Sequence, residues 1–187
     1  MPTGQEFIVR SIEHAIENAE GGLAITTDES AAVAIDEIAA ADPAGLLRIV
    51  DCGSSTTGLD DDRPDVVQDV DTPRNLTDIG IGFTNAIAAF EEAGVDRGWC
   101  GLLSLSVILS YVDQKTAYRF CQTLSRGLAN EDFMGLFLLD RNAHDEQTEN
   151  TLRRAFDGLV EIRSREDGHE LRISGLDGIS SQWVRTF

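Results

Sequence analysis

The feature that most constrains this chain is the apolar run Trp99 to Ser110, WCGLLSLSVILS, which lies between Gly94 and Asp113. It carries no charge, and it is too short and too β-rich for a free-standing helix, so it is expected to form a buried central strand. Patterns of amphipathic helix flank it on both sides. Ile79, Phe83, Ile87 and Phe90 precede it at intervals of three and four, and Ala117, Phe120, Cys121, Leu124 and Leu128 follow. A strand of that kind between two such helices belongs to a parallel sheet covered on both faces.

The rest of the chain repeats the alternation. Phe7, Ile8, Ile12, Ala15, Ile16 and Ala19 recur at helical spacing, and Gly21-Gly22 is expected to stop that helix as a C-cap. Short strands are expected at Leu23–Thr27, Leu46–Asp51 and Met134–Leu139, the last of them buried. Helices are expected at Asp28–Ala41, Leu76–Ala93, Asp113–Asn130 and Asp145–Phe156. Residues 52–73 dissolve into Gly, Ser, Thr, Asp and Pro and form a long acidic loop, with one brief extended piece at Val66, Val67 and Val70. Near the end, Leu159–Arg165 and His169–Ser174 flank Glu166-Asp167-Gly168, a hairpin turn signal, and Gln182–Thr186 adds a last strand. Alternating strands and helices predict a doubly wound α/β sheet. With 187 residues and 42% hydrophobic content, residues 1–187 are read as one domain around one core.

Charge narrows the functional classes. Thirty-three acidic against 15 basic residues give a net charge of −18, and Lys115 is the single lysine. Such a surface suits concentrated salt, where charge repulsion is screened within about 3 Å, and it points to the cytoplasm of a halophile. The same balance disfavours nucleic acid and anionic membranes, whose phosphates require clustered Arg and Lys. No window approaches a membrane span, and no apolar signal segment opens the chain. Cys52, Cys100 and Cys121 form no CxxC pair and read as reduced, buried residues. His14, His144 and His169 share no ligand spacing with them, so no metal site is expected. The aspartates Asp60-Asp61-Asp62, Asp65, Asp69 and Asp71 read as a solvated loop, and Gly80 and Gly82 as points of close helix packing.

Three local motifs, taken in this order, resemble the RecA-like ATPase domain of the KaiC family. Leu103-Ser104-Leu105-Ser106 is similar to that family's Asp-Ser-Leu-Ser at the Walker B strand. Tyr118-Arg119-Phe120 matches on the next helix, and Phe156-Asp157-Gly158-Leu159-Val160-Glu161-Ile162 is similar to its Asp-Gly-Val-Ile-x-Leu strand. The resemblance implies a three-layer, mostly parallel sheet of the P-loop NTPase type with a C-terminal β-hairpin. With the charge balance, it implies a degenerate member from a halophilic archaeon.

The departures bear on activity. A P-loop needs GxxxxGK[ST], whose glycine amides, lysine and hydroxyl hold phosphates and magnesium. Thr3-Gly4-Gln5-Glu6 falls where Gly-Lys-Thr would be, which puts Gln5 in the lysine place and Glu6 in the hydroxyl place, and the strand that precedes a P-loop is missing. The Walker B aspartate corresponds to Leu103, or to Ser104 with the register slipped by one. The family's intersubunit Lys-x-Arg-Gly corresponds to Gly175-Leu176-Asp177-Gly178. Asp28-Glu29 resembles the family's catalytic acidic pair, although an acidic first turn of a helix, favoured by the charge–dipole preference, is the commoner explanation.

The expected function is therefore a non-catalytic regulatory or scaffold protein without a cofactor. The alternative is an ATP-binding protein or ATPase whose P-loop lies upstream of Met1 or is replaced. A partner, either a second copy or another RecA-like protein, is expected because a sheet lacking its middle strand must close the gap or borrow a strand. The expected interface is the basic and aromatic cluster Arg163, Arg165, Arg172, Trp183, Arg185 and Phe187.

Overall fold

The computed structural model describes residues 3–27, 42, 45–52, 66–165 and 168–185. The expected helix over residues 28–41, the remnant pair Asp28-Glu29, the aspartates at 60–62 and 65, turn residues 166 and 167, and Phe187 lie outside the described residues.

In chain order the elements are α1 (Thr3–Glu17), β1 (Gly21–Thr26), β2 (Leu47–Asp51), β3 (Val67–Asp69), α2 (Leu76–Glu92) and β4 (Gly98–Leu102). There follow α3 (Leu105–Tyr111), α4 (Gln114–Asn130), β5 (Phe133–Phe137), α5 (Glu146–Arg153), β6 (Leu159–Arg165), β7 (Gly168–Ser174) and β8 (Val184–Arg185). Five strands form a parallel sheet in the order β3-β2-β1-β4-β5. The last three form a separate antiparallel sheet, β6-β7-β8.

Side chains alternate across the parallel sheet and build two apolar layers. Ala24, Ile49 and Leu103 meet Ile8, Val9 and Ile12 of α1 on one face. Leu23, Ile25, Val50, Cys100 and Leu102 meet α2, α3 and α4 on the other, through Ile79, Phe83, Phe90, Ile108, Phe120 and Leu124. The expected α/β architecture is present, with helices on both faces and the terminal hairpin set apart.

Four local expectations are corrected. The run Trp99–Ser110 is not one strand: β4 ends at Leu102, and the hydroxyl of Ser104 accepts the N–H of Val107 to cap α3. Leu105 and Ile108 then reach the core at helical spacing, so apolar character alone could not tell strand from helix. Nor is β4 the centre; β1, buried along its whole length, holds that place.

Gly21 and Gly22 do not cap α1. The left-handed residue after that helix is Ala19 (φ 59°), and both glycines are strand residues beneath it. A Cβ on Gly22 would meet Ile12 at 2.9 Å and Ile16 at 3.1 Å, so glycine here sets how closely α1 packs on β1. β5 is an edge strand rather than a buried one, with Met134 half-exposed. Of the two helical glycines, Gly82 packs closely, its Cβ position lying 2.8 Å from Val50, whereas Gly80 faces open space.

Candidate functional site

In an open parallel sheet, ligands collect outside the carboxyl ends of the strands where the strand order reverses. Here that point lies between β1 and β4. Thr26 and Thr27 close β1, Asp51 closes β2, Leu103 and Ser104 follow β4, and Gln5 in the first turns of α1 faces them.

All but Ser104 of these side chains are buried: Gln5 is 3% exposed, Thr26 0%, Thr27 4%, Asp51 2% and Leu103 0%. They are also bonded to one another. The amide of Gln5 donates to the Leu103 carbonyl at 3.5 Å, and the Thr27 hydroxyl donates to the Ser104 carbonyl at 3.2 Å. Thr26, the register partner of Asp51, donates its hydroxyl to Asp51 Oδ1 at 2.7 Å. The Leu103 side chain belongs to the apolar layer under α1, and the Ser104 hydroxyl is engaged as a helix cap. Among the described residues, the crevice is thus bordered by a primary amide, three hydroxyls, one carboxylate and one leucine.

Among the described residues this set contains no cationic side chain. Phosphate oxygens need cationic partners and free amides, and magnesium needs an accessible carboxylate or hydroxyl. Asp51, a buried carboxylate ending a core strand, was legible in sequence only as a strand end. Its pairing with Thr26 spans 25 positions, and no local signal announces it.

Next to Asp51, Cys52 offers no nucleophile. Burial, and then the charge of Asp51, push its thiol up to about 12. Burial does the same to Cys100 and Cys121, each to about 12. A thiol of that kind is protonated at neutral pH and inert.

A second polar contact lies at the ends of β4 and β5. Ser106 Oγ accepts the Asp140 N–H at 2.9 Å and is hydrogen-bonded to His144 Nε2 at 2.9 Å. A serine beside a histidine is the first half of a nucleophile–base unit, which also needs a group orienting the base. Among the described residues no carboxylate bonds the second ring nitrogen of His144. The contact ties the segment after β5 to α3, and it joins residues 38 positions apart that the sequence did not associate. His14 lies on α1 beside Asn18, and His169 lies on β7. Among the described residues no group of three or more His, Cys, Asp or Glu is placed to hold a metal ion, and no helix is long and apolar enough to cross a membrane.

The basic and aromatic cluster of the C-terminal sheet is brought together, largely through its own ion pairs. Arg163 stands over the Trp183 ring at 3.8 Å and Arg172 at 4.8 Å. Arg163 Nε donates to Glu170 at 2.7 Å, Arg165 Nε to the same carboxylate at 3.2 Å, and Arg172 Nε to Glu161 at 2.7 Å. Arg163 and then Arg165 hold the Glu170 carboxyl below its usual range. Arg185 on β8 lies opposite Glu170 in the ladder. Trp183 is half-buried, with both guanidinium groups over its ring.

Comparison with known proteins agrees with the architecture. The model of a family described as a family of unknown function (DUF7504) matches residues 10–162. Among solved structures, the chain is similar to a KaiC-like protein from the hyperthermophilic archaeon Pyrococcus horikoshii OT3. The TM-score is 0.60 at 12% identity, over 97% of this chain and 79% of that one. No curated protein matches.

Proposed function

The chain belongs to the DUF7504 family and has a KaiC-like RecA fold, and from that premise we propose that it is a non-catalytic member of the KaiC-like group, acting as a regulatory or scaffold partner in the cytoplasm of a halophilic archaeon. The observation that carries this reading is Gln5. It occupies the place of the phosphate-binding lysine, is 3% exposed, and donates to the Leu103 carbonyl instead of facing a ligand. The residue at the magnesium-binding place, Leu103, is itself core. Two parts of phosphoryl-transfer machinery are replaced by two parts of a packed interior.

Net charge of −18 supports the salt-rich setting, because carboxylate-rich surfaces of this kind keep a protein hydrated where repulsion is screened. The KaiC-like fold and the terminal sheet with its Trp183 and arginines support a partner-binding role. The test is thermal unfolding at molar salt with and without magnesium-ATP. The melting temperature is expected to stay unchanged. Nucleotide at about 100 times its dissociation constant adds about 2.7 kcal/mol, so a rise of several degrees would refute the reading and revive the ATP-binding alternative.

A further inference from the structure

α4 runs for 17 residues without a single carboxylate, in a chain whose net charge is −18. Its cations are Lys115, Arg119 and Arg126, all exposed. At 3.6 residues per turn the three line up on the side opposite Ala117, Phe120, Cys121, Leu124 and Leu128, the residues that α4 buries in the core. They form one straight stripe along the outside of the helix.

The chain itself gives this stripe nothing to hold. Elsewhere cations meet carboxylates of their own chain: Arg10 pairs with Glu6, Arg97 with Glu20, Arg141 with Glu149, and the arginines of the terminal sheet with Glu161 and Glu170. Among the described residues no carboxylate pairs with Lys115, Arg119 or Arg126. Asp113 is engaged as the cap of α4, its Oδ1 accepting the Thr116 N–H at 3.0 Å and its Oδ2 the Thr116 hydroxyl at 2.7 Å. Helix stability does not account for the stripe either. Lys115 stands in the first turn, where the positive end of the helix dipole repels a cation, and Lys115 and Arg119, four positions apart, repel each other.

We infer that the Lys115–Arg119–Arg126 stripe of α4 is a docking surface for an acidic helix of a partner protein, which lies along α4 and sets carboxylates opposite the three cations. From Lys115 to Arg126 the stripe is about 16 Å long at 1.5 Å per residue, so three turns of a partner helix cover it. Exposed ion pairs are each worth little, and the stripe accordingly selects the partner and its orientation more than it supplies affinity. Nucleic acid is a poor occupant, since three phosphate contacts must work against a charge of −18. So is a lipid surface, because among the described residues α4 exposes no large apolar side chain to insert. Such a partner is what the regulatory reading requires, yet nucleotide binding at the carboxyl end of the sheet, which would refute that reading, leaves the stripe and its test unchanged.

Lys115 is the single lysine, so a carbodiimide, which joins a carboxylate to an amine, reports contact at the stripe. The probe is an N-acetylated, alanine-based helical peptide with glutamates on one side at the spacing of Lys115, Arg119 and Arg126, compared with a peptide of the same composition whose glutamates are spread around the helix. The salt is about 1 M, where screening within about 3 Å removes the long-range repulsion between acidic chains and leaves contact pairs. The one-sided peptide is expected to couple to Lys115 about tenfold more than the other, a difference that three exposed pairs supply. Lys115→Arg should end the coupling while a fluorescent one-sided peptide still binds, and Arg119→Glu combined with Arg126→Glu should remove the preference with the circular dichroism unchanged. If the double variant fails to fold, the two peptides on the native chain decide alone. Equal coupling by both peptides, or a preference that survives the double reversal in a folded chain, would overturn the inference. A dimer at molar salt that Arg119→Glu dissociates would also overturn it, since a second copy would then cover the stripe, as would displacement of the peptide by an oligonucleotide or by vesicles of anionic lipid.

Discussion

Restoring a carboxylate at Leu103 tests whether that position is a lost metal ligand or a core residue. Leu103 is fully buried in the layer formed by Ile8, Val9, Ile12, Ala24, Leu47 and Ile49. Truncation to alanine removes that packing and is expected to cost about 2–5 kcal/mol. For a chain of 187 residues, each kcal/mol lowers the melting temperature by about 2–4 °C, so Leu103→Ala should melt roughly 5–20 °C lower. Leu103→Asp should be worse than alanine. It loses the same contacts and in addition places an acid in an apolar layer, where it must either stay protonated or open the packing to water. The assay is thermal and denaturant unfolding of both variants at molar salt, with and without magnesium. The expected order is native, then Leu103→Ala, then Leu103→Asp, with magnesium changing none of them. An aspartate variant as stable as the native chain, or one that magnesium stabilises above the alanine variant, would refute the reasoning and show that the ligand place is still open.

Two further predictions follow from burial and charge. Cys52, Cys100 and Cys121 should be unreactive toward a thiol reagent at pH 8 until denaturant is added; because folding raises their titration from 9.0 to about 12, the unfolded chain binds fewer protons between those values and stability should fall as pH rises above about 9. With 33 acidic against 15 basic residues, circular dichroism should show the fold loosening as salt is lowered from molar to millimolar, since repulsion then acts over about 30 Å instead of about 3 Å; an unchanged spectrum would contradict this.

The parts of the fold that could be read from sequence are those whose signal is local. α2 was legible because Ile79, Phe83, Ile87 and Phe90 repeat on one face, and all four are buried there. The terminal hairpin was legible from its turn and its two β-rich runs. What escaped was decided by tertiary contacts. Gly21 and Gly22 look like a helix stop, yet they are strand residues because α1 lies directly over them. Ser104 looks like any residue in an apolar run, yet its side chain turns that run from strand to helix. At the candidate site, Gln5 and Leu103 were legible as substitutions in a resembling motif. That they bond each other, and that Thr26 and Thr27 secure Asp51 and Ser104, is a relation across strands that no spacing encodes.

The ladder around β4 bears on both functional readings. Five register pairs join β4 to β1 and five more join it to β5, from Gly98↔Phe133 to Leu102↔Phe137. A strand entering between β4 and either neighbour would have to open one of those ladders. Each hydrogen bond is worth about 0.5–1.5 kcal/mol net, so opening a ladder costs several kcal/mol before any new pairing offsets it. Insertion would also displace α1, whose first turn rests on Leu138 through Gly4 and whose Ile8 lies directly over Gly101, a contact that leaves no room for a Cβ. The sheet is thus continuous from β1 through β4 to β5, with α1 seated directly on it.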